Sequence, residues 1–240
     1  MRPQPIMTLG TTLLTASVLV IAGCDVSTDV GTGTGSEASS TQNTYTITEP
    51  VTSLMVDNPV GSTRIEGTDD TTVSVTEQLT YSGDPPQTSH PITGGRLTLS
   101  YTCPSEVIDT CSVSYVVKVP RRIALEIDDK VGATTLTGLA GQLTLTSSTG
   151  RIDATELTSS TVTARASAGT ITLAFTSAPT SVDAQTQVGS VTVQLPAGTA
   201  YAVDAGSQVG TVEVTVARDP GSAHRVTARS QVGAVTVNNG

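Results

Sequence analysis

The sequence predicts an all-β fold, a parallel β-solenoid of about seven coils with an irregular N-terminal β region. Three observations lead there. Val, Ile, Leu and Thr dominate, while aromatic residues are scarce, with one Phe, no Trp and five Tyr among 240 residues. β-Branched side chains fit a pleated surface and disfavour helices, so the core is expected to be thin and aliphatic. A glycine-anchored motif recurs about every twenty residues, and apolar residues alternate with polar ones on both sides of each glycine.

Residues 1–24 read as a lipoprotein signal peptide. Arg2 supplies a short positive n-region, an apolar stretch runs from about Leu13 to Ile21, and Ile21-Ala22-Gly23-Cys24 resembles the lipobox of bacterial lipoproteins. The apolar stretch is too short for a comfortable membrane span. The lipobox resemblance implies a diacylglycerol on the Cys24 thiol and a protein held to the cell membrane on its extracytoplasmic side. Residues 25–43 are rich in Ser, Thr and Gly, which cannot bury enough surface to offset the entropy of ordering, and are expected to be a disordered tether.

Residues 44–120 form the irregular region and hold the first coil. Strands are expected around Thr71 to Tyr81, Arg96 to Thr102 and Ser112 to Val119, with a break at Gly83-Asp84-Pro85-Pro86. With Cys24 acylated, Cys103 and Cys111 remain, eight residues apart between alternating segments. They are expected to form a disulfide that pins a hairpin-like loop, in keeping with an oxidising compartment. A metal centre lacks ligands, because the only histidines, His90 and His224, are isolated in sequence. No cofactor motif is present.

Residues 121–240 are the repeats proper. Three copies stand out: V-D-A-Q-T-Q-V-G-S-V-T-V from Val182, V-D-A-G-S-Q-V-G-T-V-E-V from Val203, and V-T-A-R-S-Q-V-G-A-V-T-V from Val226. With the glycine as anchor, the frame extends to Gly61, Gly132, Gly150, Gly169, Gly189, Gly210 and Gly233, each with an apolar residue seven positions earlier. Each unit reads as strand, tight turn, strand, and stacking in parallel would bury the apolar face that one unit cannot bury alone. Glycine fits a corner that demands positive φ. Gln187, Gln208 and Gln231, two before their glycines, align as a candidate amide ladder.

The V-G-x-V-x-V pattern precedes a strand and lacks the spacing of a phosphate loop. A net charge of −9 opposes binding to nucleic acid. Asp183 and Asp204 share a column six before the glycine. That is an outward position on adjacent coils, where two stacked carboxylates raise each other's proton affinity or hold a cation. That pair is the basis of an alternative reading, a carbohydrate-active β-helix enzyme acting as lyase or hydrolase. Threonine arrays suggest a face that orders ice, but Asp153 and Glu213 interrupt the column three after the glycine and oppose it.

The motifs Val60-Gly61, Val131-Gly132, Val188-Gly189-Ser190-Val191, Val209-Gly210-Thr211-Val212 and Val232-Gly233-Ala234-Val235 behind a lipobox resemble the bacterial DUF4097 family of adhesin-like envelope proteins. The resemblance runs from about Tyr45 to Asn239. It implies a right-handed β-helix and a surface location, and brings no catalytic residues. The expected function is therefore a lipid-anchored, non-catalytic, adhesin-like or envelope-associated binding protein. Its expected partners are the membrane through the anchor and a cell-wall polysaccharide, a host polysaccharide or an envelope protein. A protein-binding component of an envelope-stress response is a further alternative.

Overall fold

The structure, a computed structural model, describes residues 38–104 and 110–240. Cys24, the expected signal peptide and the tether up to residue 37 lie outside the described residues; the end of the expected tether is not disordered, because Ser39–Asn43 belong to a strand, Ser39–Ile47, paired antiparallel with Val73–Tyr81. Ser36–Gly240 is one compact unit that contains its whole core and all its strand pairings.

The described elements are all strands or turns. They are β1 (Ser39–Ile47), β2 (Ser53–Val60), β3 (Thr63–Thr68), β4 (Val73–Tyr81), β5 (Gln87–Ser89), β6 (Ile92–Thr93), β7 (Arg96–Thr102), β8 (Cys111–Pro120) and β9 (Ala124–Thr137). There follow β10 (Leu143–Leu157), β11 (Thr161–Ala168), β12 (Ile171–Phe175), β13 (Ser181–Val188), β14 (Val191–Leu195), β15 (Ala202–Val209), β16 (Val212–Val214), β17 (Arg225–Val232) and β18 (Val235–Asn239).

Seven coils follow the glycine frame: β2/β3, β9, β10, β11/β12, β13/β14, β15/β16 and β17/β18. The strand before each glycine joins one parallel ladder and the strand after it joins a second. Between the ladders lies the aliphatic core. Seven before the glycine, Leu54, Leu125, Leu143, Val162, Val182 and Val226 are each at most 3% exposed. Five before it, Val56, Ile127, Leu145, Ala164, Ala184 and Ala228 fill the next layer, so the core narrows along the stack as the side chains shrink.

The corner requires glycine for two reasons at once. Gly189 has φ +137°, and a Cβ built on it would lie 2.0 Å from the carbonyl oxygen of Gly169. Gly132 meets Gly61, Gly150 meets Gly132, Gly169 meets Gly150, Gly233 meets Gly189 and Gly210 meets Gly233 in the same way. The glycine carbonyl of one coil therefore occupies the space that a methyl group on the next would need.

That contact series also gives the order of the stack, and it departs from sequence order at both ends. The seventh coil is inserted between the fifth and the sixth: β17 pairs with β13 on one side and β15 on the other, and β18 lies between β14 and β16. Coils five to seven share nearly one sequence, so their pattern fits any order. The ten residues between Val214 and Arg225 are long enough to step back over one coil.

At the opposite end, β7 pairs with β2 and β8 with β3, each in parallel, so residues 96–120 act as an extra unit outside the first coil. Cys103 and Cys111 are disulfide-bonded, with their Cα atoms 6.1 Å apart. They do not pin a hairpin. β7 and β8 belong to different ladders, and the disulfide joins the residue after β7 to the first residue of β8. Antiparallel strands close this end: β5 and β6 on β7, and β4 then β1 on β8.

The core is not wholly apolar near the first corners. Three before the glycine the column reads Asn58, Asp129, Ser147, Ala166, Thr186, Ser230 and Ser207. Asp129 is fully buried and accepts hydrogen bonds from Thr63 Oγ1 (3.0 Å) and from Thr134 Oγ1. Burial pushes its carboxyl from 3.8 up to about 6; the two threonine hydrogen bonds work against that rise, while the charges of Asp128 and Asp57 add to it.

Two outcomes follow. Gly189→Ala adds both positive-φ strain and overlap, together roughly 2–6 kcal/mol, measured by denaturant unfolding. Gly206→Ala, whose Cβ meets nothing within 4 Å, is neutral or slightly stabilising. For Asp129, the raised folded-state pKa means that its contribution is fully present below pH about 4 and is lost as pH rises through about 6. The stability of the parent chain relative to Asp129→Asn therefore falls by up to about 3 kcal/mol between pH 4 and pH 7, read from paired melts.

Candidate functional site

A shallow groove of about 640 Å³ crosses the ladder that precedes the corners, over the third, fourth, fifth, seventh and sixth coils in spatial order. The repeat frame builds it. Four before the glycine, outward-facing Arg165, Gln185 and Arg229 stack along one wall, and Gly206 leaves the wall open at the last coil. Two before the glycine, Ser167, Gln187, Gln231 and Gln208 form the other wall. At strand spacing the five coils span roughly 19 Å.

Hydroxyl groups form the floor. Thr186 Oγ1 donates to Gly169 O (3.1 Å), Ser230 Oγ to Gly189 O (2.8 Å) and Ser207 Oγ to Gly233 O (2.8 Å). Each of these three hydroxyls thus satisfies the corner carbonyl of the coil before it in the stack, whereas Ser147 Oγ in the same column is buried without a partner. The signal was present in the sequence, as Thr186, Ser207 and Ser230 at an otherwise apolar phase of the alternation.

The acid pair is not a pair. Thr227 lies between Asp183 and Asp204 in the ladder, because the seventh coil separates the fifth from the sixth. Each aspartate is held by an arginine of the adjacent coil, Asp183 by Arg165 and Asp204 by Arg229, and Gln185 Nε2 donates to Asp183 Oδ1 at 2.6 Å. Both carboxylates point off the same flat sheet rather than across a cleft. The glycosidase arrangement, with two carboxyl groups flanking one bond, is absent at these residues. Both arginines line the groove with half of each side chain exposed, so guanidinium N–H donors beyond the ion pair remain available there.

The three glutamines do align, in the order Gln187, Gln231, Gln208, but no amide-to-amide hydrogen bond joins them among the described residues, so their donors and acceptors remain free at the surface. The histidines serve packing: His90 stacks on Tyr45 with centroids 4.4 Å apart, and His224 Nδ1 lies 2.7 Å from the Pro179 carbonyl. No cluster of three metal-ligating side chains occurs among the described residues. Arg165, Gln185 and Arg229 were not singled out from sequence, although the same frame aligns them.

A second surface feature follows the corners. The valine before the glycine is exposed at Val60, Val131, Val188, Val232 and Val209, by 43% to 63%. Nothing in core packing accounts for this ridge, and it borders the groove along its amide wall.

Residues 126–238 match the family model described as Toastrack DUF4097. The match lies within the wider span that the motifs suggested, and it leaves out the first coil and the strands of the capped end. Solved structures share the architecture over a greater length. A proposed cell adhesion protein from Clostridium sporogenes has a TM-score of 0.54 at 12% identity, covering 84% of this chain and 100% of that one. A proposed adhesin from Bacteroides fragilis has a TM-score of 0.51 at 15% identity, covering 83% of this chain and 97% of the other. At these identities the likeness establishes the fold. No curated protein sequence matches the chain significantly. Among the described residues, no helix is long and apolar enough to cross a membrane.

Proposed function

With residues 126–238 matching Toastrack DUF4097 as the premise, we propose that the chain is a lipid-anchored, extracytoplasmic, non-catalytic binding protein that lays an extended polysaccharide along the groove. The observation that carries this reading is the groove itself, where guanidinium, amide and hydroxyl groups of five stacked coils share one phase of the repeat and lie along one line. A linear polymer with regularly spaced hydroxyl groups matches such a surface, and many modest contacts add up along it. Sugar rings have apolar C–H faces as well as hydroxyls, and the valine ridge beside the amides offers the corresponding contact. Two sequence features support placement outside the cytoplasm: the lipobox at Cys24 and the disulfide between Cys103 and Cys111. The adhesin designations of the two structural neighbours agree with this reading.

Pull-down of the Ser36–Gly240 unit on insoluble peptidoglycan, chitin, cellulose and acidic polysaccharides, with supernatants assayed for new sugar ends, tests it. Retention on one polymer without released ends is expected, and Arg165→Ala combined with Arg229→Ala weakens that retention about tenfold or more, some 1.4 kcal/mol. Release of sugar ends overturns the non-catalytic reading, and retention on none of the polymers overturns the glycan reading in favour of an envelope protein. In the full chain, Cys24→Ala moves the protein from the membrane fraction to the soluble fraction; unchanged fractionation overturns the anchor.

A further inference from the structure

The two ends of the stack are finished differently. At the β7/β8 end, antiparallel strands with polar outer sequences cover both ladders, and six of the nine residues of β1 are Ser, Thr, Gln or Asn preceding Tyr45. At the other end the outermost coil is β15/β16, and each of its strands has one partner, β17 or β18. Residues 217–219 reach outside the start of the coil through the Tyr201 and Arg218 bridge, which covers the residue just before β15.

Three properties of this end coincide. The corner hydrogen bonds run in one direction through the stack: Gly169 N–H to Val188 O (2.8 Å), Gly189 N–H to Val232 O (2.9 Å) and Gly233 N–H to Val209 O (2.9 Å). A parallel series links Ile171 to Ser190, Val191 to Ala234 and Val235 to Thr211, each at 2.9 Å. Both series stop at Gly210 and Val212, whose N–H groups face outward with no coil beyond. Second, side chains in the core columns emerge here: Val212 is 45% exposed where Val191 and Val235 are at 0%, and Val203, Ala205 and Val214 are only partly buried. Third, Val209, the most exposed large apolar residue described, at 63%, joins this open end to Val232 and Val188 on the corner ridge.

We infer that the sixth coil, Ala202–Val214, is a self-association edge, on which the same coil of a second copy docks in a two-fold, end-to-end dimer that continues both ladders. The occupant follows from the fold. The outer edges of β15 and β16 present the unpaired N–H and C=O groups of a strand, and the same edge of a second copy, turned by a two-fold axis, offers those groups in the antiparallel order that completes them. Among the described ends of this molecule, the β7/β8 end is closed to it by antiparallel strands, which excludes head-to-tail growth and leaves the isologous pairing of two open ends. The outer strands carry no Lys and no Pro, two residues that blunt an edge. Their acids point off the sheet faces rather than along the edge; Asp204 is neutralised by Arg229, leaving Glu213 as the repulsive group.

Sedimentation of the Ser36–Gly240 unit over a range of concentrations tests the dimer, with salt as a second variable. The expected result is reversible conversion to a particle of twice the mass, tightened by added salt, because two acidic copies repel each other at low ionic strength. Val209→Lys combined with Val212→Lys weakens association about tenfold or more. At concentrations where the parent is monomeric the melting temperature stays unchanged, since both side chains are already exposed. Val116→Lys, which alters an exposed valine on β8 at 44% exposure, leaves association intact and controls for general stickiness. A monomer at every concentration and salt, or a dimer weakened equally by Val116→Lys, overturns the inference. Growth to long filaments overturns it as well, since that would require the capped end to pair.

Discussion

Every coil of this protein meets the next through a backbone carbonyl set against a glycine Cα, and that contact governs the rest. Because there is room for hydrogen and nothing larger, the coils approach closely enough for the corner N–H of one to reach the carbonyl of its neighbour at normal hydrogen-bond length. The corner then stays in register from coil to coil, which is what aligns valine on valine and alanine on alanine inside. A larger residue at an inner corner would disturb two coils at once, since each inner glycine both offers its carbonyl and receives its neighbour's.

The same corner explains where polar groups can enter. A glycine carbonyl turned along the stack needs a donor beyond the ladder, and a hydroxyl three residues before the glycine supplies it in the three coils nearest the open end. Toward the closed end the position holds Asn58 and Asp129 instead, tied to Thr63 and Thr134. The unit therefore has an aliphatic core with a polar seam along one edge, and the seam changes from hydroxyl to carboxyl along its length. The groove lies directly above the hydroxyl part, so one column both completes the backbone of the corner and forms the floor of the surface outside.

Much of this was legible in the sequence. Glycine anchors and period-2 alternation locate both ladders and the inward columns, because burial on one side and a corner that tolerates no side chain leave strong marks in composition. The order of the last coils left no such mark. Val182 to Val193, Val203 to Val214 and Val226 to Val237 carry nearly the same repeat, so the pattern that locates each coil gives no sign of its place in the stack, and Asp204 and Arg229 would lie on adjacent coils in either order. The separation of Asp183 from Asp204 is the direct result of the observed order. Residues 96–120 escaped the frame because their two strands are joined by a disulfide and not by a glycine corner, and the groove escaped notice because its side chains differ from coil to coil while sharing only their phase.

The inserted seventh coil has a consequence for how the molecule comes into being. A stack laid down in sequence order could grow one coil at a time as the chain emerges from a ribosome or crosses a membrane, each new coil resting on a finished surface. Here β15/β16 leave the exit before the coil that separates them from β13/β14, so the sixth coil has no native seat until β17 and β18 have arrived. For that interval the fifth coil presents an edge that the sixth can occupy by mistake, in almost the same register. The final step of biogenesis is thus the seating of the seventh coil between two coils already made, possible only after the last strand has been delivered.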